Sequence, residues 1–209
     1  MKLIVLLFLF FFTNSSFAQD CNPPNEMYRL SLPKLMWLQN DYRIYHNPTK
    51  QEKQVYHNCK AKVKCVVYTT KYKTHPFTGI DRKDYYCFDT KIRNKLKKNE
   101  KIKHTYEGLF KNGFYHKGKQ TWYYGKRPKA IQSYNGEFLR SKKHGKGIFS
   151  YDTGTSFKGQ FRDNKAVEGT YRSKDEMFTG VVDKFFNFNY GRLEKENGEI
   201  YFGEFLRDK

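Results

Sequence analysis

Hydrophobic residues are scarce in this 209-residue chain, making up only 38% of it even with an N-terminal apolar run included. Aromatic residues alone account for 18%, with 17 Tyr and 19 Phe. A core must therefore be built chiefly from tyrosine and phenylalanine rings rather than from leucine and isoleucine. Because aromatic residues favour strands, this composition predicts a mainly β protein and argues against a helical bundle.

The sequence also lacks the short motifs that mark common catalytic sites. It contains no Gly-x-Ser-x-Gly elbow, phosphate-binding loop, His-Glu-x-x-His pair or dinucleotide fingerprint. The densest group of carboxylates, Glu168, Asp175 and Glu176, lies in turn-rich sequence, where such side chains are normally solvated. We therefore expect a protein without enzymatic activity and without a cofactor. A hydrolase of envelope polymers is the enzymatic alternative, and it would need a cleft with convergent polar groups.

Acidic residues are outnumbered, since 21 Asp and Glu stand against 40 Lys and Arg, for a net charge of +19. In an intracellular protein this excess would suggest nucleic acid. In an exported protein the same excess indicates binding of anionic lipid, anionic glycan or an acidic protein, and nucleic acid is not expected.

Lysines are concentrated in one run, residues 91–103, which holds seven Lys or Arg and one Glu. Such a run is usually a solvated helix or linker, and we place a domain boundary at residues 91–104. A second, shorter cluster lies in the C-terminal half. The candidate anion-binding residues of the two clusters are Lys95, Lys97, Lys98, Lys101, Lys142 and Lys143.

The N-terminus has the features of a secretory signal peptide. Lys2 precedes an unbroken apolar run from Leu3 to Phe12, and the small residues before Gln19 suit signal peptidase. This apolar run is far shorter than the roughly 20 residues that a bilayer-spanning helix needs, which argues against the alternative of a retained anchor. We expect residues 1–18 to be removed and the mature protein to be periplasmic or extracellular.

Four cysteines in an exported chain are most simply two disulfides. Apolar and basic residues alternate around Cys59 and Cys65, which predicts a strand with both cysteines on one face. Six residues of strand separate them by about 20 Å, whereas bonded cysteines need Cα atoms within about 7 Å. Cys65 should therefore bond Cys87 across a turn at residues 74–79, which leaves Cys21 for Cys59.

A zinc site is the alternative role for these cysteines. Their spacing lacks a paired Cys-x-x-Cys knuckle, and exported thiols are usually oxidised, so a metal is not expected. The zinc ligands in the alternative would be His57, Cys59, Cys65 and Cys87.

We expect residues 19–90 to form a small β-rich domain stabilised by disulfides.

The C-terminal half repeats a triplet in which apolar residues stand two before and two after a glycine. The glycines are 28, 23, 21 and 23 residues apart. In a strand these three positions share a face, so each triplet forms a notch over which a ring from a neighbouring strand can lie. Several hairpins side by side would then bury a continuous aromatic core. The triplets are Tyr106, Gly108, Phe110; Tyr134, Gly136, Phe138; Phe157, Gly159, Phe161; Phe178, Gly180, Val182; and Tyr201, Gly203, Phe205.

This strand pattern, its continuation His-Gly-Lys-Gly-x-Phe-x-Tyr at residues 144–151, and the spacing of the units resemble the MORN repeat. The resemblance covers residues 106–209 and is strongest at residues 134–161. It implies an elongated antiparallel meander of β-hairpins over residues 105–209, behind the small cysteine-bearing β domain. The first unit departs from the pattern, because Gly118 and Gln120 stand where two glycines are expected.

The resemblance also implies a role in membrane association or in the scaffolding of partners. We expect a non-enzymatic, exported scaffold protein that binds a protein partner at the cell envelope. The alternative is binding of anionic membrane lipid or glycan through the basic surface. The sequence leaves the identity of the partner and the oligomeric state open.

Overall fold

The computed structural model of the chain describes residues 18–27, 34–38, 41–45, 48–74, 81–124 and 129–206. Nearly all of the predicted signal peptide and most of the predicted turn at residues 74–79 lie outside these ranges. The described elements are α1 Lys50–Val55, β1 Lys34–Leu38, β2 Asp41–Tyr45, β3 Cys59–Thr74, β4 Asp81–Asp89, β5 Glu100–Lys111, β6 Phe114–Tyr124, β7 Lys129–Leu139, β8 Lys142–Tyr151, β9 Ser156–Arg162, β10 Lys165–Arg172, β11 Glu176–Val182, β12 Phe188–Lys195 and β13 Ile200–Glu204.

Strands β3 to β13 form one antiparallel sheet, in which each strand from β5 onward lies beside the next in the chain. The predicted meander is therefore confirmed. At the other end the order is β5-β3-β4, so the cysteine-bearing strands extend this same sheet. The boundary at residues 91–104 separates regions of different composition but not different sheets. Strands β1 and β2 pair with each other in a separate two-stranded sheet.

Residues 91–99 connect β4 to β5 through turns and irregular backbone, not through the helix that was one of two expectations. The ammonium of Lys64 on β3 anchors this loop by donating to the backbone and side-chain oxygens of Asn94, at 2.6 and 2.8 Å. Residues 100–104 already belong to β5. The basic run is thus an ordered loop followed by a strand.

Arg93 is the second anchor of this loop. Its guanidinium lies 3.8 Å from the ring centroid of Phe88 and donates to both carboxylate oxygens of the buried Glu100 at 2.9 Å. Burial alone would raise the pKa of Glu100, but hydrogen bonds from Arg93 and from the Tyr86 hydroxyl lower it. Arg93 therefore belongs to the fold and is not a free cation.

The short helix α1 begins with a capping box. The Thr49 hydroxyl accepts from the backbone N–H of Glu52 at 3.1 Å, and the Glu52 carboxylate accepts from the backbone N–H of Thr49 at 2.7 Å. At the other end the Tyr56 carbonyl accepts from Gly113 at 2.8 Å, and its hydroxyl donates to buried Asp89 at 3.0 Å. These bonds fasten the helix to β4 and to the β5–β6 turn.

Two disulfides close the N-terminal part of the sheet. Cys65 and Cys87 lie directly opposite each other on β3 and β4, with Cα atoms 4.0 Å apart. Cys21 is bonded to Cys59 at the start of β3, with Cα atoms 5.0 Å apart. These are the pairs that the strand spacing favours.

Three of the hairpins reverse through two residues with positive φ, the backbone of a type I′ turn. In two of these turns the side chain of the second residue also joins neighbouring hairpins. The Ser141 hydroxyl accepts from the N–H of Tyr115 at 2.9 Å, and the Asn164 side chain accepts from the N–H of Lys143 at 2.8 Å. Turn chemistry therefore helps to set the register between successive repeats. The turn residues are Asn112 and Gly113, Arg140 and Ser141, and Asp163 and Asn164.

Glycines form an unbroken line across nine neighbouring strands, β5 to β13, which we call the glycine line. Each glycine is paired in register with the glycine of the next strand, and Ala61 of β3 continues the line. The members of the line are Gly108, Gly118, Gly136, Gly147, Gly159, Gly169, Gly180, Gly191 and Gly203.

The ring that covers a triplet glycine comes from the same strand, so the expectation that a ring from the neighbouring strand covers these glycines is wrong. Tyr134 leans along β7 over Gly136, and its hydroxyl donates to the carbonyl of Glu137 at 2.9 Å. The same ring covers Gly147 on β8, where an added Cβ would collide with it. It then meets the ring of Phe138 edge to face, with centroids 5.0 Å apart.

Other triplets repeat this geometry, with the first ring meeting the last at 5.2 Å in the Tyr106 unit, 5.5 Å in the Phe157 unit and 4.9 Å in the Tyr201 unit. Rings also touch between units, since Tyr134 lies 4.9 Å from Phe161. Edge-to-face pairs contribute about 0.5–1.5 kcal/mol beyond the area that they bury. The rings therefore form one continuous core, on what we call the aromatic face of the sheet.

We predict that Gly136→Val and Gly159→Val each destabilise the sheet by about 1–3 kcal/mol, although valine is the better strand former. A Cβ at Gly136 would lie 2.6 Å from the Cα of Gly147, and one at Gly159 would lie 2.9 Å from the ring of Phe157. Thermal and urea unfolding measure the loss. Asn135→Val is the control, because Asn135 is exposed beside Gly136. Unchanged stability in both glycine variants would contradict the packing described above.

Candidate functional site

The face opposite the aromatic face, which we call the outer face, carries a groove of about 910 Å³ that follows the glycine line over β8 to β12. Its floor is backbone, because the glycines have no side chains. Side chains alternate along a strand, so the residues before and after each glycine project to the outer face and form the two walls. The floor consists of Gly147, Gly159, Gly169, Gly180 and Gly191.

The wall positions form two rows across the sheet, and they continue beyond the groove onto β3, β5, β6 and β7. Cross-strand pairing fixes which side chains are neighbours within a row. One row is Lys62, Glu107, Lys119, Asn135, Ile148, Lys158, Thr170, Thr179, Arg192 and Phe202. The other is Lys60, Leu109, Lys117, Glu137, Lys146, Gln160, Glu168, Val181, Tyr190 and Glu204.

The end of the rows towards β3 is basic. Six lysines lie on β3, β6, β8 and β9 against two glutamates, and one glutamate, Glu107, pairs with Lys62 at 2.7 Å. All six lysines are exposed. Period-two alternation of lysine in β3 is the sequence signal for this surface, and contiguous runs of lysine do not reveal it.

The other end of the rows carries exposed apolar side chains between polar ones. Val181, Tyr190 and Phe202 are 40%, 48% and 66% exposed, and Ile148 lies further along the groove at 41%. Tyr190 and Phe202 meet edge to face with centroids 5.4 Å apart. Because these exposed rings already contact each other, they form a contiguous apolar patch of the kind that a partner can cover.

The lysines of the run at residues 91–103 were expected to be solvated. Lys95, Lys97 and Lys98 are exposed on the loop, and Lys101 is exposed on β5. Because Lys64 holds this loop from the outer-face side of β3, the loop lysines border the basic end of the rows. Lys142 is also exposed and lies 3.6 Å from a carboxylate oxygen of Asp163.

Lys143, the remaining candidate anion-binding residue, lies on the opposite face of the sheet from the lysines of the wall rows. It pairs in register with Phe138, so its side chain is on the aromatic face. Its ammonium lies 4.4, 5.4 and 5.9 Å from the ring centroids of Phe149, Trp122 and Tyr134. Burial lowers the pKa of this amine to about 8. The position also has a sequence signal, since Lys143 stands four residues before Gly147 and so shares its face.

A buried polar cluster lies on the aromatic face of β5 and β6, and it was not predicted from the sequence. His104 is 1% exposed, with its Nε2 3.5 Å from the hydroxyl of buried Tyr115. Gln120 is equally buried and pairs across the strands with Tyr106 and Tyr134. Burial lowers the pKa of His104 to about 4, so the imidazole is neutral at physiological pH. His104 stands two residues before Tyr106, which places it on the aromatic face.

The disulfides contradict the zinc alternative. Cys59 and Cys65 belong to different bridges, and His57 is exposed, with its Nδ1 2.6 Å from the side-chain oxygen of Asn112. Among the described residues one group has metal-ligand spacing, namely Cys65, Cys87 and His104, and both of its sulfurs are joined in the disulfide.

The acidic cluster noted in the sequence does not converge. Glu168 pairs with Val181 on the outer face, whereas Glu176 lies at the opposite end of the same hairpin. Val181 lies five residue steps along β11 from Glu176, or about 17 Å. Asp175 is exposed in the turn. These carboxylates do not form the cleft that a hydrolase would need.

We predict that stability falls as the pH drops from about 6.5 to about 4, in part because of His104. Its folded pKa lies below its unfolded value, so the unfolded chain takes up the proton first. The stabilisation is complete above pH 6.5 and is lost progressively down to pH 4, by up to about 3 kcal/mol. The free energy of unfolding, measured with urea between pH 4 and pH 7.5, should change less steeply with pH in His104→Phe than in the wild type. The exposed His116→Gln is the control, and an equal slope in all three proteins would contradict the assignment.

Comparison with known proteins agrees with the repeat pattern. The family model described as MORN repeat matches residues 106–123, 134–156 and 157–177. The chain therefore carries three MORN repeats, and the meander continues past them through the strands that contain Gly180 and Gly203. No curated protein matches the chain.

Proposed function

We propose that this MORN-repeat protein is an exported, non-catalytic scaffold that binds an extended segment of a protein partner at the cell envelope. The observation that carries the proposal is the outer-face groove, with its floor of paired glycines and its exposed apolar walls. A floor without side chains lets an extended chain approach the sheet closely, and the wall side chains then supply the contacts.

Export is supported by the two disulfides, which form in oxidising compartments. The residues that follow the expected cleavage site are also part of the fold. The Lys60 N–H donates to the carbonyl of Gln19, and the Cys21 N–H donates to the carbonyl of Lys60, both at 2.8 Å. A mature protein that begins at Gln19 keeps both bonds, and its intact mass identifies it. Among the described residues no helix is long and apolar enough to cross a bilayer.

Photo-cross-linking tests the groove directly. With a photoreactive phenylalanine at Thr179, on the groove wall, we expect cross-links to one dominant envelope protein in intact cells. The matched control is the same substitution at Lys174, which is exposed in the turn before β11 and lies outside the groove. Cross-links at both positions, or at neither, would count against the groove as the binding site. The cross-linked products are recovered from the exported fraction of these cells, after the intact mass of the exported protein confirms that the chain starts at Gln19.

A second candidate is binding of anionic lipid or glycan through the loop lysines, favoured by the exposure of Lys95, Lys97, Lys98 and Lys101. Each lysine close to an anionic membrane contributes about 1 kcal/mol, and salt screens the attraction. We predict that replacing all four by Gln markedly weakens co-sedimentation with phosphatidylserine-containing vesicles at low salt, and that wild-type binding falls steadily as salt rises.

The control variant changes four exposed lysines away from the loop, Lys50, Lys111, Lys165 and Lys174, and so removes the same charge. It should bind vesicles nearly as well as the wild type. Absence of wild-type binding at low salt would remove this candidate, and equal loss in both variants would show a diffuse charge effect without a lysine site.

A further inference from the structure

We infer that the groove and its continuation bind a partner segment in one orientation, with an acidic stretch over β5 to β9 and an apolar stretch over β11 to β13. This inference rests on the proposed function and specifies the chemistry of the partner. The partner is a polypeptide segment whose acidic and apolar residues are separated along the chain.

The acidic stretch is indicated by the unbalanced charge at one end of the wall rows. Lys117, Lys119, Lys146 and Lys158 are exposed on β6, β8 and β9, and none forms an ion pair with a described residue. The carboxylate of Glu137 lies among them and accepts the backbone N–H of Lys146 at 3.4 Å. Clustered cations along an open groove attract an acidic chain and disfavour a basic one.

The apolar stretch is indicated by the other end. Val181, Tyr190 and Phe202 are neighbours on β11, β12 and β13 and present exposed apolar surface. The carboxylates of Glu168 and Glu204 stand beside them in the wall rows. Arg192 in the same rows is paired with Glu194, so Glu168 and Glu204 leave this end with an excess of negative charge. The charge pattern therefore disfavours the reverse orientation as well as favouring the proposed one.

The length of the rows fits a continuous segment. Nine strands from β5 to β13 span eight interstrand spacings of about 4.8 Å, or about 38 Å. An extended chain covers about 3.3–3.6 Å per residue, so about 11 residues would follow the glycine line from end to end. This length allows roughly half of the segment to be acidic and half apolar.

Fluorescence anisotropy with three labelled peptides of 12 residues tests the inference on the full exported chain. The first has six Glu followed by an apolar block rich in Phe and Leu, the second has the same residues in alternation, and the third is all Glu. We expect the block peptide to bind at least about tenfold more tightly than either of the others, because it alone satisfies both ends of the rows. Equal binding of the block and alternating peptides would overturn the inference, as would equal binding of the all-Glu peptide.

Variants assign the two halves of the peptide to the two ends. Replacing Lys117, Lys119, Lys146 and Lys158 by Gln should weaken the block peptide about tenfold and flatten its salt dependence. Tyr190→Ser with Phe202→Ser should weaken it by a similar factor while leaving the salt dependence in place. The control replaces Lys50, Lys111, Lys165 and Lys174 by Gln, and circular dichroism verifies that each variant is folded.

The outcomes separate this inference from the function on which it rests. Cross-linking at Thr179 without preference for the block peptide would leave the groove as a binding site and overturn its polarity. Loss of cross-linking and of all peptide binding would overturn both. Anionic vesicles that compete fully with the block peptide, with loss of binding only in the lysine variant, would show that the site recognises a membrane surface and not an acidic peptide.

Discussion

The fold depends on the absence of a side chain at one position in every strand of the repeat region. Where two glycines face each other across neighbouring strands, a ring can lie flat over both, as Tyr134 does over Gly136 and Gly147. The ring is then buried by backbone beneath it and by the next ring at its edge. Tyr106, Tyr134 and Phe178 are fully buried in this way. A sheet rich in tyrosine and phenylalanine thus forms a close-packed core from few aliphatic residues.

This constraint explains which features the sequence could predict. Period-two alternation determines the face on which a side chain lies, so the triplets of the Tyr134 and Phe157 units and the separation of Cys59 from Cys65 followed from spacing. The meander followed from the resemblance to the MORN repeat. Alternation does not determine the direction in which a side chain leans within its face. The ring over Gly136 could equally have come from a neighbouring strand, but in the structure it is Tyr134 of the same strand, whose hydroxyl donates to the Glu137 carbonyl.

The candidate site was less predictable, because a contiguous run of charged residues does not reveal the face of the sheet on which each side chain lies. Lys142 and Lys143 are adjacent in sequence, yet one is exposed and the other has its ammonium against three rings. Conversely, Lys117 and Lys158 are far apart in sequence and share one end of the wall rows through the strand order. The continuity of β3 with β5 was also hidden, because β3 has Ala61 in place of a glycine and lacks the ring-bearing triplet.

Along the glycine line the two faces of each strand differ in role, because one face packs in the core and the other is exposed. In a unit such as Tyr134 to Phe138, the first, third and fifth residues are held by the core, and any change there disturbs ring packing. The second and fourth residues, Asn135 and Glu137, are exposed and take no part in that packing. Wall positions can therefore vary in charge and size from strand to strand without loss of the fold. Because the floor between them is bare backbone along the whole line, the wall residues are the side chains that a segment lying in the groove would contact, and in this chain their order runs from lysine to tyrosine and phenylalanine.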